Sequence, residues 1–365
     1  MTELLFILGL FFLIAGAEML VRGASGLAVA AGVAPLIIGL TVVAFGTSSP
    51  ELAVSAMSAM SGHADIALGN VVGSNIFNVL FVLGLSALVV PLVVSRQLVR
   101  LDVPLMITIS VLLLLIGLDG KISRLDSLFL SAGLVGYMAF LFYQNKRNNR
   151  ETAANHKETT LQNPTSKPRS CAAYVFSIAG GLILLVVGSR WLIDGAVVFA
   201  TRLGVSELVI GLTIVAAGTS LPEAATSVVA GIRGERDIAI GNIVGSNIFN
   251  ILFVLGLSGL FSPDGINVAP AALNFNIPVM IAVAVACLPV FFTGYTIARW
   301  EGFLFLGYYA AYTAYLFLFA SAHSALPAFS RVMLMYVIPL TVLTFLVMVV
   351  RAICNGNRNN CPEPE

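Results

Sequence analysis

Residues 39–86 recur, without a gap, as residues 211–258. A shift of 172 places superposes Gly39 on Gly211, Pro50 on Pro222, Glu51 on Glu223 and Asn78 on Asn250, with 32 identities over 48 positions. Shared hydropathy would match apolar residues with one another, not Gly, Pro, Asn and Glu, so the match is an internal duplication. Both copies carry the same interruption. "TVVAFGTSSPE" (41–51) and "TIVAAGTSLPE" (213–223) set hydroxyls, a proline and a carboxylate inside an apolar run. Any fold of this chain has to hold two carboxylates in hydrophobic segments at matched positions.

Those segments belong in a bilayer. The chain is 58% hydrophobic and 10% charged, against about a quarter charged for soluble domains. Its apolar runs are repeatedly long enough to cross about 30 Å of hydrocarbon as helices. The expected fold class is an all-α polytopic membrane protein. Helices are predicted near 3–21, 36–60, 66–90, 101–118 and 127–143, then near 172–192, 207–231, 238–260, 272–292 and 301–319, with a further span at 332–350. The expected organisation is a first repeat over 1–143, a polar linker over 144–170, a second repeat over 171–319, and an extra helix with a tail over 320–365. The N-terminus lacks the basic region of a signal peptide, its one early charge being Glu3, and reads as a retained helix. Cys171, Cys287, Cys354 and Cys361 show no metal or disulfide spacing. The net charge of +1 gives no reason to expect a nucleic-acid partner. The bilayer is the expected surrounding, and no protein partner is indicated.

Five helices per repeat is an odd number, so the second repeat must be inverted relative to the first. With the N-terminus outside, fourteen of the nineteen Lys and Arg residues fall in inside loops, six of them in the linker, as the positive-inside rule requires. The expected architecture is an inverted 5+5 repeat plus an eleventh helix, with the linker cytoplasmic. In transporters built this way the site lies at mid-membrane between the repeats.

The interruptions supply what such a site needs. A lone carboxylate at mid-bilayer costs roughly 2.5–3.5 kcal/mol on insertion scales, so Glu51 and Glu223 require compensation. Pro50 and Pro222, with Gly46 and Gly218 just upstream, are expected to kink or unwind their helices. That would free the carbonyls of Ala44, Thr47, Ala216 and Thr219 at membrane depth, beside the hydroxyls of Thr47, Ser48, Thr219 and Ser220. The following helices carry "GNVVGSNIFN" (69–78) and "GNIVGSNIFN" (241–250). Asn70, Ser74 and Asn78 share one face, as do Asn242, Ser246 and Asn250. Gly69, Gly73, Gly241 and Gly245 are expected to let helices approach closely. An all-oxygen ligand set without His or Cys suits Ca²⁺, Mg²⁺, Mn²⁺ or Na⁺ rather than zinc or copper. The bland account is that such serines and threonines merely bond their own i−4 carbonyls. Two matched segments in an inverted duplication outweigh it. Glu18, Asp194 and Glu207 are expected to snorkel or cap near helix ends, Asp65 and Asp237 to serve as N-caps, and His63 to lie in a loop.

"GTSSPE…GNVVGSNIFN" and "GTSLPE…GNIVGSNIFN" resemble the two alpha repeats of the calcium/cation antiporter superfamily, in its sodium/calcium exchanger branch. The resemblance covers residues 1–319. It implies an inverted ten-helix fold, alternating binding of Na⁺ and Ca²⁺ at one central cluster, transport rather than catalysis, and no cofactor. By motif position it implies Glu51 and Glu223 as the Ca²⁺ carboxylates, assisted by Thr47 and Thr219. Na⁺ would use the carbonyls of Ala44 and Ala216, the hydroxyls of Ser48 and Ser220, and Ser74 and Ser246, with Asn78 and Asn250 closing the centre. Ser49 stands where the motif usually has leucine. Asn250 stands where some exchangers, potassium-dependent ones among them, carry aspartate, which argues against potassium co-transport. The span at 332–350 exceeds the usual ten, and the short linker has no room for a large Ca²⁺-sensing domain and suggests a prokaryotic plasma membrane.

Three other readings compete. An H⁺-coupled divalent-cation exchanger would use Glu51 or Glu223 for protons, but leaves the many hydroxyls unexplained. An intramembrane hydrolase using Ser48 or Ser220 would need an activating base, and no His joins the constellation. A channel would show sustained single-channel currents.

Overall fold

The computed structural model describes residues 2–155, 170–203 and 216–358. Thr2–Ala31 forms α1. Pro35–Thr47 (α2) and Ser49–Met60 (α3) are two halves of one span, bent by 45° at Ser48. Then come α4 (Ala64–Val89), α5 (Leu98–Asp119) and α6 (Arg124–Asn155). The second repeat follows with α7 (Cys171–Arg202), α8 (Leu221–Ile232), α9 (Arg236–Phe261), α10 (Ala272–Phe292) and α11 (Arg299–Ala320), and α12 (Leu326–Val350) closes the chain's described spans. Among the described residues, nine helices are long and apolar enough to cross a membrane, and the bent pair α2–α3 makes a tenth. The α8 helix is the counterpart of α3; most of the expected first half of its span, 207–215, lies outside the described residues, as does Glu207. The all-α inverted repeat and the added eleventh helix are thus the architecture of the chain.

The two repeats interlock through short antiparallel strands. Leu92–Val93 (β1) of the first repeat pairs with Thr296–Ile297 (β4) of the second, and Lys121–Ile122 (β2) pairs with Ile266–Asn267 (β3). The structure also extends the duplication beyond residue 86. With a shift of 174, Asp102, Pro104 and Met106 meet Asn276, Pro278 and Met280; with 175, Arg124, Asp126 and Tyr137 meet Arg299, Glu301 and Tyr312. Two small insertions hide this in an ungapped comparison. The helices α4 and α9 are the buried centre, while α11 and α12 are mostly exposed apolar surface, as lipid-facing helices should be.

The first helix of each repeat is longer than the predicted 3–21 and 172–192. At 1.5 Å per residue, the 30 residues of α1 and 32 of α7 span ~45 Å or more, so both must tilt or protrude. Glu18 and Arg22 imitate a helix end, but they form an i,i+4 ion pair at 2.5 Å in mid-helix, and Arg233 from the α8–α9 turn also holds Glu18. Glu18 therefore neither snorkels nor caps; a partner 215 residues away neutralises it. Asp194 likewise lies inside α7 rather than near its end. The N-cap positions of α4 and α9 are His63 and Glu235, with Asp65 and Asp237 two residues inside, where a carboxylate favours the helix N-terminus without capping it. The helix α6 runs on to Asn155, past the expected end at 143, because 144–155 offers ordinary helix formers once it leaves the apolar layer.

Close packing falls where small residues recur. Gly9, Gly16 and Gly23 of α1 reappear, again shifted by 172, as Gly181, Gly188 and Gly195 of α7. The two helices run antiparallel in backbone contact, and a Cβ on Gly16 would meet the Gly181 carbonyl oxygen at 2.7 Å. In α9, a Cβ on Gly241 or Gly245 would meet the carbonyl oxygens of Leu36 and Leu40 at 2.9 and 2.8 Å. The segment that would face Gly69 and Gly73 by symmetry is not among the described residues.

Each repeat also sets a polar pair away from its centre, half-buried in the second repeat and buried in the first. Tyr312 Oη donates to Asn276 Oδ1 at 3.4 Å. At the equivalent place Asp102, 1% exposed, faces Tyr137 and accepts from Gln97 at 3.3 Å. Since the second repeat meets the same need with an amide, Asp102→Asn should fold normally, with stability within about 1 kcal/mol of wild type or above it. Thermal unfolding in detergent checks this; a loss beyond about 2 kcal/mol would mean the carboxylate itself is required.

Candidate functional site

At the bend, Ser48 (φ −80°, ψ 5°) and its counterpart Ser220 (φ −93°, ψ 10°) occupy the sparsely populated bridge region. Pro50 and Pro222 sit in the first turn of the helices that follow, where a missing N–H is harmless to that helix. The loss falls upstream: Pro50 cannot donate to the Gly46 carbonyl. Among the described residues, no backbone N–H reaches the carbonyls of Thr47 or Thr219. The Ala44 carbonyl differs from expectation: it keeps the Ser48 N–H at 3.0 Å, and Thr47 Oγ1, whose one proton goes to Asn242, lies 3.4 Å from it. What it offers a ligand is its second lone pair. Ala216 opens the short turn Ala216–Gly218.

The bends bring the two carboxylates together by exchange. Ser220 Oγ donates to Glu51 Oε1 at 2.8 Å, and Ser48 Oγ donates to Glu223 Oε1 at 3.3 Å. Each carboxylate is held by the serine of the other repeat. Thr47 Oγ1 donates to Asn242 Oδ1 at 3.0 Å and lies 3.5 Å from Ser246 Oγ. Thr219 Oγ1 donates to Asn70 Oδ1 at 3.4 Å. Glu51, Glu223, Thr47, Ser48, Ser220, Ala44, Ser74, Ser246, Asn78 and Asn250 are all buried, and Thr219 is half-buried.

Five of these side chains carry a buried oxygen with no hydrogen-bond partner: Glu51 Oε2, Glu223 Oε2, Ser74 Oγ, Asn78 Oδ1 and Asn250 Oδ1. Buried polar atoms are rarely left so. Asn78 Nδ2 donates to Asn247 Oδ1 at 3.2 Å and Asn250 Nδ2 to Asn75 Oδ1 at 3.0 Å, which leaves the oxygens of Asn78 and Asn250 unclaimed. Both asparagines open π-helical turns, Asn78–Leu83 and Asn250–Leu255, a local widening common at functional positions.

Two groups have a supporting role: Asn70 and Asn242, expected on the site-facing sides of their helices, and Asn75 and Asn247, which the face pattern does not single out. Asn70 and Asn242 reach back to the carbonyls of Glu51 (3.3 Å) and Glu223 (3.4 Å) and to Ser55 (2.9 Å) and Ser227 (3.0 Å), fixing each glutamate's backbone. Asn75 and Asn247 orient the central asparagines, and their own amides turn toward the thioethers of Met280 (3.5 Å) and Met106 (3.4 Å). Both pairs sit in the identical "SNIFN" and "GN" stretches, so the signal was present in the sequence. The direction of a buried amide was not.

Comparison with known proteins follows the same lines. A profile of the family described as "Sodium/calcium exchanger protein" matches residues 2–143 and 173–318. The inner membrane protein YrbG of Escherichia coli (strain K12) is 39% identical over 285 residues, 78% of this chain and 87% of that protein. The sodium/calcium exchanger MaX1 of Methanosarcina acetivorans is 34% identical over 344 residues, 86% of this chain and 98% of its own length. A solved structure of the sodium-calcium exchanger NCX_Mj, soaked with Na⁺ and Sr²⁺, superposes with a TM-score of 0.72 at 31% identity, covering 86% of this chain and 97% of that one. The helix α12 lies beyond the profile's last matched residue.

Proposed function

The chain belongs to the sodium/calcium exchanger protein family, a family of integral-membrane cation antiporters and not of enzymes, and from that premise we propose that it exchanges Na⁺ for Ca²⁺ by alternating access at the cluster around Glu51 and Glu223. The observation that carries this reading is that both carboxylates, each held by a serine of the other repeat, keep a buried oxygen without a partner, as do Ser74, Asn78 and Asn250 on the central helices. Two carboxylates neutralise one divalent cation, and hydroxyl, amide and carbonyl oxygens complete a hard-cation shell. The same neutral oxygens suit Na⁺, so one ligand set can serve two ions in turn. The cross-repeat serine contacts make the site depend on both halves at once, as a site that opens alternately to either side must. Ca²⁺ would engage Glu51, Glu223, Thr47 and Thr219. Na⁺ would engage the carbonyls of Ala44 and Ala216 with Ser48, Ser220, Ser74 and Ser246, and Asn78 and Asn250 would close the centre. The proposed placement is a prokaryotic plasma membrane with the N-terminus outside and the 144–170 linker in the cytoplasm.

The test is ⁴⁵Ca²⁺ uptake into proteoliposomes loaded with Na⁺ or with choline at equal pH. Uptake driven only by outward-directed Na⁺ is expected. Uptake indifferent to Na⁺ but following an imposed pH gradient would overturn sodium coupling in favour of proton coupling.

A further inference from the structure

Among the described residues, an ion-pair cluster on the face that carries the end of α6 has no counterpart at the matching positions of the opposite face. Asn145 of α6 accepts from the Ala34 N–H at 3.4 Å, which places the end of α1, the end of α6 and the linker on one side. On that side α1 meets the α8–α9 turn. Arg233 grips both oxygens of Glu18, with Nε at 2.5 Å from Oε2 and the second guanidinium nitrogen on Oε1. Arg22 holds the same carboxylate at 2.5 Å. One turn further along α1, Ser25 Oγ donates to Glu235 Oε1 at 2.5 Å. Two of these links cross from the first repeat to the second, and the fork-to-fork geometry of Arg233 makes its link orientation-specific.

Inverted symmetry says what should stand on the other side. Shifted by 172, Glu18, Arg22 and Ser25 of α1 become Arg190, Asp194 and Val197 of α7, while Arg233 and Glu235 fall on Ser61 and His63. An acid and a base remain on α7 in reversed order, but no cross-repeat link of this kind survives among the described residues. Arg190 has no ion pair among the described residues, the turn it would face offers a serine in place of an arginine, and Val197 cannot donate to His63. The site segments of the two repeats keep their polar residues in register, so among the described residues the cluster is an added feature of one side.

We propose that the Glu18–Arg233 pair is a one-sided brace that fastens α1 to the α8–α9 turn and biases the antiporter toward states closed at the linker side. The inference rests on the alternating-access reading above. In an inverted repeat, the two access states are related by exchange of the halves' conformations, so without added features neither is favoured. A contact made only at one end lowers the state in which that end is shut and leaves the other untouched. Ions arriving at the linker side then meet a binding-competent fraction smaller than unity, and their apparent affinity falls by that fraction. Glu18 and Arg233 are partly exposed (27% and 40%), so the bias is modest and sensitive to salt.

The experiment compares half-saturating Ca²⁺ applied from either side, using right-side-out and everted membrane vesicles, for wild type, E18Q, R233Q and the double variant. The linker-side value divided by the far-side value is expected to fall roughly 1.5- to 5-fold in each single variant, the range of an exposed ion pair, and no further in the double variant. Glu18 keeps Arg22 when Arg233 is replaced, so no charge is stranded. Choline chloride at 0.5 M against 0.05 M should move the wild-type ratio the same way and leave E18Q unmoved, a result that does not require any variant to fold. An unmoved ratio, or effects that add in the double variant, would overturn the brace while leaving antiport standing. Absence of exchange in wild-type vesicles would overturn the antiport reading and the brace with it.

Discussion

Glutamine in place of Glu51 or of Glu223 should abolish Ca²⁺ exchange while the protein folds as before. Each carboxylate has one oxygen committed to a serine of the other repeat and one buried without a partner. Glutamine keeps an acceptor oxygen for that serine, so the cross-repeat link survives. What disappears is half of the charge that balances a divalent cation. A contact to a charged group contributes about 1.5–3 kcal/mol at the least, and 1.4 kcal/mol is a factor of ten, so affinity for Ca²⁺ should drop at least ten- to hundred-fold and exchange should fall below detection at micromolar Ca²⁺. The check has two readouts: ⁴⁵Ca²⁺ uptake into Na⁺-loaded proteoliposomes, and elution and thermal unfolding of the purified variant. Both substitutions should lose uptake and neither should lose its fold. Normal exchange by either one would remove that glutamate from the site. Loss of uptake together with loss of fold would make the residue structural.

The duplication makes the polar residues present in both copies visible as identities, and the candidate site is legible to that extent. Glu51 and Glu223, Ser48 and Ser220, and Asn78 and Asn250 are singled out by being polar, matched and inside apolar runs, and the structure gathers them. The manner of gathering was not readable. That Ser220 holds Glu51 and Ser48 holds Glu223 is a property of how the two bends cross, and no local pattern encodes it. The helices α1 and α7 run past the ends their charges suggest for a related reason. Charges such as Glu18 and Arg22 signal a helix terminus only if water is their partner, and here Arg233 replaces the water. The polar pairs Asp102–Tyr137 and Asn276–Tyr312 escaped notice because two short insertions break the shift of 172, so the eye for exact repeats stops at residue 86. Local sequence sets which segments are helical and which are interrupted; the long-range partner of each buried polar atom emerges only with the packing.

The glycines of α1 and α7 lead to the second large effect. Gly16→Val should prevent the protein from folding, or lower its stability by about 3 kcal/mol or more, although no charge, hydrogen bond or ligand atom is touched. A Cβ at Gly16 would stand 2.7 Å from the Gly181 carbonyl oxygen and 2.8 Å from the Leu185 nitrogen. One at Gly188 would stand 2.6 Å from the Leu13 nitrogen and 2.8 Å from the Gly9 carbonyl oxygen. These neighbours are backbone, so no rotamer change relieves the clash and the helices must separate. In lipid, helices associate through close packing rather than through burial of apolar surface from water, so separation forfeits most of what holds α1 to α7. Valine also adds branching that Gly tolerates least at such a crossing. Gly136→Ala is the control: its Cβ meets nothing within 4 Å on an exposed face of α6, and alanine should be neutral or slightly stabilising through helix propensity. Expression and monodispersity of Gly16→Val, Gly188→Val and Gly136→Ala, followed by thermal unfolding, decide the matter. A well-folded Gly16→Val would mean that α1 and α7 do not meet at these glycines, and the antiparallel pairing of the two repeats' first helices would have to be redrawn.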